Sequence, residues 1–369
     1  MKARRFNRYS RSAEIHGSAN DIPVLQQMKP GSLVIRADAN VSIGTGHVMR
    51  CLALAEAWQD AGGSASFLSA ELPDALRARI TANGIRLVHV DAIPGSSQDA
   101  VATAAQARQL QRSWTVVDGD RFPGDFLENL HGAGVRVLLV DDFADRDVFP
   151  VDLIVNPNLG VDTQEYRARG SHTQVLVGPK YVLLRREFHR ARQRRTDSKG
   201  NRVLVTLGGS DPGELTQRIA AALVSCADLQ LMLVAGAGYS KVTALQKVSA
   251  PNIRVIVDSQ NIADLMSESD LAVIAAGGTL WELLSMGCVV LSYARNTVQK
   301  RVVRSLAKDG VVVDMGETVD FSAASLVSEV RRLADSQALR EQMAARGRRL
   351  VDGLGAARVV EAMLHLGAH

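Results

Sequence analysis

The stretch Leu33-Val-Ile-Arg-Ala-Asp38-Ala-Asn-Val-Ser-Ile43-Gly-Thr-Gly-His47-Val-Met-Arg50-Cys-Leu-Ala-Leu-Ala55 decides how the chain is read. A short apolar run rich in β-branched residues stops at Asp38, a Gly-Thr-Gly turn follows, and an amphipathic stretch begins directly behind it, the pattern of strand, glycine turn and helix. His47 is the one side chain of this stretch whose ordinary pKa lies near neutrality, and it falls in the first turn of the expected helix. That places it at the carboxyl end of a first strand, where open parallel sheets bind ligands.

Outward from this stretch, β-rich runs alternate with helical periods. Strands are expected over 33–37, 65–69, 86–90, 114–117, 135–140, 153–155 and 175–177, with helices over 46–60, 73–83, 98–112 and 125–133. Such alternation implies a doubly wound, mainly parallel sheet. The charged stretch 188–200 then breaks the pattern, and a second cycle follows with strands over 203–207, 231–235, 253–257, 271–275, 289–293 and 311–314. The fold class is therefore α/β, with two Rossmann-like units facing a cleft. The expected organisation is a disordered basic tail over 1–30, a first unit over 31–188 carrying the histidine, and a linker over 189–200. A nucleotide-binding unit over 201–353 and a helical segment over 354–369 that packs back complete it.

Bulk properties agree with two units, since 369 residues exceed the size at which a single core usually keeps growing. The net charge of +4 lies entirely in residues 1–20, where Lys2, Arg4, Arg5, Arg8 and Arg11 face Glu14 alone. The rest of the chain is balanced and offers no basic face for nucleic acid. Cys51, Cys226 and Cys288 lie far apart without CxxC spacing and read as reduced core thiols. No apolar run reaches the roughly 18 residues of a spanning helix, and the N-terminus has no signal-peptide core. A cytoplasmic protein without a membrane partner is expected.

Two turns in the second half suit phosphate. Val203-Leu-Val-Thr-Leu-Gly208-Gly209-Ser210-Asp211 is a strand ending in a glycine turn before a helix expected over 214–225. Ala275-Ala-Gly277-Gly278-Thr279-Leu-Trp-Glu282 repeats the design. Glycines permit close backbone approach, and the free N–H groups of a helix start attract anions. Neither is a P-loop, because no Gly-Lys-Ser/Thr follows. Two such turns together suit one diphosphate nucleotide, with Glu282 placed to accept from a ribose. Taken singly, the glycines serve to change direction, Thr279 is an N-cap and Glu282 a favourable first-turn charge. His47, for its part, is either a surface cap or a general base, and the positive end of its helix favours the neutral imidazole a base requires. Asp141 and Asp142 end one strand and Asn156-Pro-Asn158 another. The acids are open to a metal or to loop amides, and the amides suit sugar hydroxyls or acetamido groups; no dedicated ligand cluster is present.

In this set of residues the chain resembles the UDP-2,4-diacetamido-2,4,6-trideoxy-β-L-altropyranose hydrolases of pseudaminic acid biosynthesis, relatives of the MurG-type glycosyltransferases. The resemblance runs over about residues 32–350. It is carried by Arg36-Ala-Asp38, Ile43-Gly-Thr-Gly-His47-Val-Met-Arg50-Cys-Leu, Val140-Asp-Asp142, Asn156-Pro-Asn158, Gly178-Pro-Lys-Tyr-Val-Leu-Leu-Arg185-Arg-Glu-Phe188, Leu207-Gly-Gly-Ser-Asp211-Pro and Ala276-Gly-Gly-Thr279-Leu-Trp-Glu282. It departs from the family at Ser42, where a Gln is common, and at Thr297, which follows Asn296 in place of a second Gln.

The resemblance implies a GT-B architecture and an inverting, metal-independent hydrolysis without cofactor, in which His47 activates water and UDP is released. The implied substrate contacts are Arg36, Asp38, Gly44, Thr45, Gly46, Asn158 and Asn296. The implied nucleotide contacts are Gly208, Gly209, Ser210, Gly277, Gly278, Thr279 and Glu282. The expected partner is a UDP-linked amino sugar, and the expected state a monomer or weak dimer. Two alternatives stand beside this reading: a MurG-like glycosyltransferase using the same donor, and a non-catalytic nucleotide-sugar binding protein.

Overall fold

The computed structural model describes residues 30–367, apart from 41, 111–112, 168–172, 196–198, 209–210, 212, 237–238, 240 and 249. The expected basic tail, except for Pro30, lies outside the described residues.

Two parallel sheets form the frame. The first contains β1 (Ser32–Ala37), β2 (Ser64–Ser69), β3 (Arg86–His89), β4 (Trp114–Asp118), β5 (Arg136–Val140), β6 (Leu153–Asn156) and β7 (Gln174–Val177). The second contains β8 (Arg202–Thr206), β9 (Gln230–Ala235), β10 (Ile253–Val257), β11 (Leu271–Ala275), β12 (Val289–Ala294) and β13 (Val312–Glu317). Their orders are β3-β2-β1-β4-β5-β6-β7 and β10-β9-β8-β11-β12-β13, so each reverses direction beside its own first strand. The two reversal points lie between β1 and β4 and between β8 and β11. There, outside the carboxyl ends of the strands, diverging loops leave a crevice.

The strands are near-continuous apolar runs because both faces of each sheet are covered. Along β1, Leu33, Ile35 and Ala37 enter one core and Val34 the other. Along β8, Val203 and Val205 face one core and Leu204 the other. Each fully buried side chain of this kind contributes about 1.5–3 kcal/mol relative to exposure. Helix Gly46–Asp60 lays Val48, Leu52, Ala55 and Trp58 against β1 and its neighbours.

The charged stretch expected as a linker over 189–200 is instead helical from Arg186 to Gln193. Phe188 and Ala191 are spaced to fall on one helical face, and both are buried in a core of the second sheet. Helix Leu215–Leu223 begins one residue later than expected, because Glu214 takes a left-handed φ of 54° that the helix cannot include.

After the second sheet, helix Gly355–Gly367 returns to the first, placing Val359, Val360 and Met363 in the core that holds Trp58. Its approach requires glycine at the start: a Cβ on Gly355 would lie 2.3 Å from the carbonyl oxygen of Val182. Among the described residues no helix is long and apolar enough to cross a membrane.

Candidate active site

After β1 the chain turns on Asn40, whose side-chain oxygen accepts the N–H groups of Ser42 and Ile43, both at 2.9 Å. Its backbone oxygen accepts from Gly44, also at 2.9 Å, and Gly44 has φ 76°, a conformation glycine adopts without strain. Helix Gly46–Asp60 starts behind this turn with no side-chain cap from Thr45. His47 and Arg50, three residues apart, share one face of it.

That face meets the end of β4. Asp118, the last residue of β4 and fully buried, lies 2.7 Å from His47 Nδ1 through Oδ1. Arg50 donates to both oxygens of Asp118 at 2.6 Å and to both oxygens of Asp142 at 2.9 Å. Asn158 donates to Asp142 Oδ1 at 3.0 Å, and Cys51 Sγ lies 3.3 Å from Asp118 Oδ2. One guanidinium thus bridges two carboxylates, one of which also holds the histidine.

The electrostatics follow from this packing. Burial pushes the Asp118 carboxyl up, but Arg50 and His47 hold it well below the usual carboxylate range. A carboxylate only accepts, so the neutral imidazole carries its proton on Nδ1 and leaves Nε2 as the acceptor. For His47, burial favours the neutral form, yet the hydrogen bond and charge of Asp118 outweigh it, and the pKa lies above the ordinary 6.5. The neutral form expected from the helix end is therefore opposed by Asp118, a partner that the reading of residues 33–55 did not include. Arg50 stays charged, its two carboxylates overcoming burial.

The other expected substrate contacts divide. Gly44 is half-buried and Thr45 and Gly46 are exposed around His47, with open space where a Cβ on either glycine would sit. Asn158 joins the Arg50–Asp142 cluster. Arg36 does not reach a ligand: it is fully buried, gives Nε and Nη2 to Asp99 and Nη1 to Asp38, all at 2.8 Å, and stacks on Phe122. Asn296 uses its side-chain oxygen to cap helix Thr297–Lys308 through Gln299 N–H at 2.9 Å. Asp141 accepts from Tyr166 Oη at 2.6 Å and from Ala144 N–H at 2.7 Å, so it holds a loop. Among the described residues no group of three or more His, Cys, Asp or Glu side chains is placed to hold a metal ion.

At the second reversal point the two glycine turns differ from one another. Gly208 has φ 87°, whereas Gly209 and Ser210 lie outside the described residues. The helix start behind them is not free for an anion, because Asp211 accepts the N–H groups of Leu215 and Thr216 at 3.1 and 2.7 Å. The Gly277-Gly278-Thr279 turn is open: among the described residues helix Gly278–Met286 has no side-chain cap, and both glycines are exposed. Glu282 is paired with Arg185 at 3.2 Å, which also binds Glu187. It belongs to a chain of charges between the two halves, which Glu187 continues to Arg79.

A cavity of about 330 Å³ adjoins the histidine cluster, lined by Arg50, Asp120, Asp141, Asp142, Asp145 and Arg146 among others. Its volume is within the range of small-ligand sites and its lining is strongly polar, as a sugar requires.

Comparison with solved structures places this frame. A MurG from Acinetobacter baumannii superposes with a TM-score of 0.63 at 17% identity, covering 91% of this chain and all of the other. The fold is GT-B. In sequence, the chain is 29% identical over 232 residues to the spore coat polysaccharide biosynthesis protein SpsG of Bacillus subtilis, covering 61% of this chain and 68% of that one. It is 26% identical over 296 residues to the UDP-2,4-diacetamido-2,4,6-trideoxy-beta-L-altropyranose hydrolase of Campylobacter jejuni, covering 76% of this chain and 98% of the relative. No family model matches the chain. The GT-B frame accounts for the two reversal points, one within each sheet. The sequence similarity to the Campylobacter hydrolase is the relation expected from the motifs around His47.

Proposed function

We propose that the protein processes a UDP-linked sugar and does so as an inverting hydrolase of a diacetamido-trideoxy sugar. One observation carries the reading: an imidazole at the first reversal point whose Nδ1 is held by a buried carboxylate, leaving Nε2 as a proton acceptor in a crevice. The similarity to the Campylobacter hydrolase supports the substrate class. The uncapped Gly277-Gly278-Thr279 turn supports a diphosphate held by the second sheet.

In this mechanism His47 Nε2 takes a proton from water as the water oxygen bonds to the anomeric carbon. The bond from that carbon to the β-phosphate oxygen breaks on the opposite face, its electron pair leaves with UDP, and configuration inverts. Asp118 keeps the imidazole in the productive tautomer and stabilises the imidazolium that forms. Arg50 fixes Asp118 against Asp142.

The test is incubation with UDP-2,4-diacetamido sugars while free UDP and free sugar are followed. Release of both without any acceptor is the expected result, and a glycoside formed only when an acceptor is added overturns hydrolysis. His47→Asn is expected to slow release by about 10²–10⁴-fold with UDP affinity unchanged. A wild-type rate in that variant removes His47 from the chemistry.

A further inference from the structure

Asp38 was expected to touch the sugar, but its surroundings assign it elsewhere. It stands at the end of β1, 3% exposed, and its two oxygens have different fates. Oδ1 is saturated, accepting from Arg36 and Ala70 N–H at 2.8 Å, from Ser69 Oγ at 2.9 Å and from Glu71 N–H at 3.2 Å. Oδ2 is buried and has no hydrogen-bond partner among the described residues. Arg36 and the two backbone N–H groups keep the acid ionised against its burial. A buried carboxylate oxygen left unpaired is costly, so a donor from outside the polypeptide is called for.

The space beside it defines that donor. Asp38 lines a cavity of about 20 Å³ together with His47, Asp118, Asp120 and Arg121, with Ile43 and Phe122 as its apolar lining. One water needs roughly 10–15 Å³ of such space and two to four polar partners. The cavity meets both conditions and is far too small for a pyranose ring or an acetamido group. It shares Asp120 and Gly119 with the 330 Å³ cavity, so the one-water space borders the space that fits a sugar. Arg121 is already held by Glu71 at 2.8 and 2.9 Å and Asp118 by His47 and Arg50, while Asp120 is exposed to solvent, so Asp38 Oδ2 is the buried acceptor of this lining that still calls for a donor.

We propose that Asp38 Oδ2 and His47 together hold the attacking water, which makes Asp38 a catalytic residue of the hydrolysis and not a sugar contact. This rests on the hydrolase reading above. The water donates one hydrogen to Asp38 Oδ2 and gives the other to His47 Nε2 as its oxygen bonds to the anomeric carbon. The hydrogen on the Asp38 side stays on the new hydroxyl of the product, so Asp38 aims the lone pair without changing its own protonation.

Two measurements test it. A crystal structure of the free wild-type protein at atomic resolution is expected to show an ordered water within hydrogen-bond distance of both Asp38 Oδ2 and the His47 imidazole. An empty cavity, or a water reaching only one of them, overturns the proposal whether or not the protein turns over any UDP-sugar. Asp38→Asn keeps an acceptor at the Oδ1 position and replaces the Oδ2 acceptor by a donor. With thermal stability and UDP affinity checked, kcat is expected to fall at least about 10-fold at constant KM. A raised KM at constant kcat makes Asp38 a sugar contact and overturns the proposal. Failure of the wild-type protein to release UDP overturns the hydrolase reading instead, and the crystallographic water then still decides what Asp38 Oδ2 holds.

Discussion

The two reversal points share one topology and differ in what their loops carry. At the first, between β1 and β4, a histidine, an arginine and two aspartates are locked to one another in a half-buried network. At the second, between β8 and β11, the Gly277-Gly278 turn offers backbone N–H groups that no side chain among the described residues caps. A site that must move a proton needs a group of fixed tautomer and tuned affinity, which takes charged partners and burial. A site that must only hold an anion needs amides and room, which takes glycine. In the proposed hydrolase the same frame thus supplies a chemical end and a holding end.

The largest expected way to break this contrast is His47→Asn, whose loss of about 10²–10⁴-fold should appear in kcat and leave UDP binding untouched. Asp118→Asn sharpens it with a smaller loss. The amide removes the charge that raises the His47 pKa, so the acidic limb of kcat/KM should move to lower pH even as the maximum falls. A limb that stays in place would mean that Asp118 does not set the proton affinity of His47. At the other end, Gly278→Ala adds a methyl that meets no atom within 4 Å and asks for no unusual φ, so folding is unaffected. If the diphosphate rests on these amides, UDP affinity should drop about 10-fold, or 1.4 kcal/mol, with little change in kcat. Undiminished affinity in a calorimetric titration would remove the diphosphate from this turn.

The legibility of the sequence followed the same division. The thirteen described strands lie within three residues of their expected places at either end, because buried parallel strands are written as unbroken β-branched runs such as Leu33-Val-Ile and Val203-Leu-Val. His47 was legible because it is fixed by its own glycine turn. Asp118 was not: it lies 71 residues away, and the strand expected over 114–117 stopped one short of it. Nothing in Asp118-Gly-Asp120 distinguishes the first acid from the second except sheet order. Placing β4 beside β1 would have singled out the last residue of β4 as the neighbour of His47. Arg36 and Asn296 point the opposite way. Both were expected as substrate contacts, but one is buried against Asp99 and the other uses its side-chain oxygen to cap the helix it precedes. Partners brought from distant sequence decide such roles, and a local pattern does not contain them.

The smallest effect separates the two ends by pH alone. Since the folded protein holds the His47 proton more tightly than the ordinary value of 6.5, its ionisation contributes stability that is complete below about pH 6.5. That contribution is lost as pH rises through the higher folded value. In the proposed hydrolysis, activity runs the other way over the same window, because the base must be neutral to accept a proton. Wild-type melting temperature should therefore fall relative to that of His47→Asn as pH rises above about 6.5, in the range where wild-type kcat/KM climbs. Binding of an intact UDP-sugar by the glycine turn involves no titrating side chain of the turn and should stay level there. A difference in melting temperature that does not change with pH would detach His47 from Asp118 in solution, and with it the fixed tautomer on which the chemical end depends.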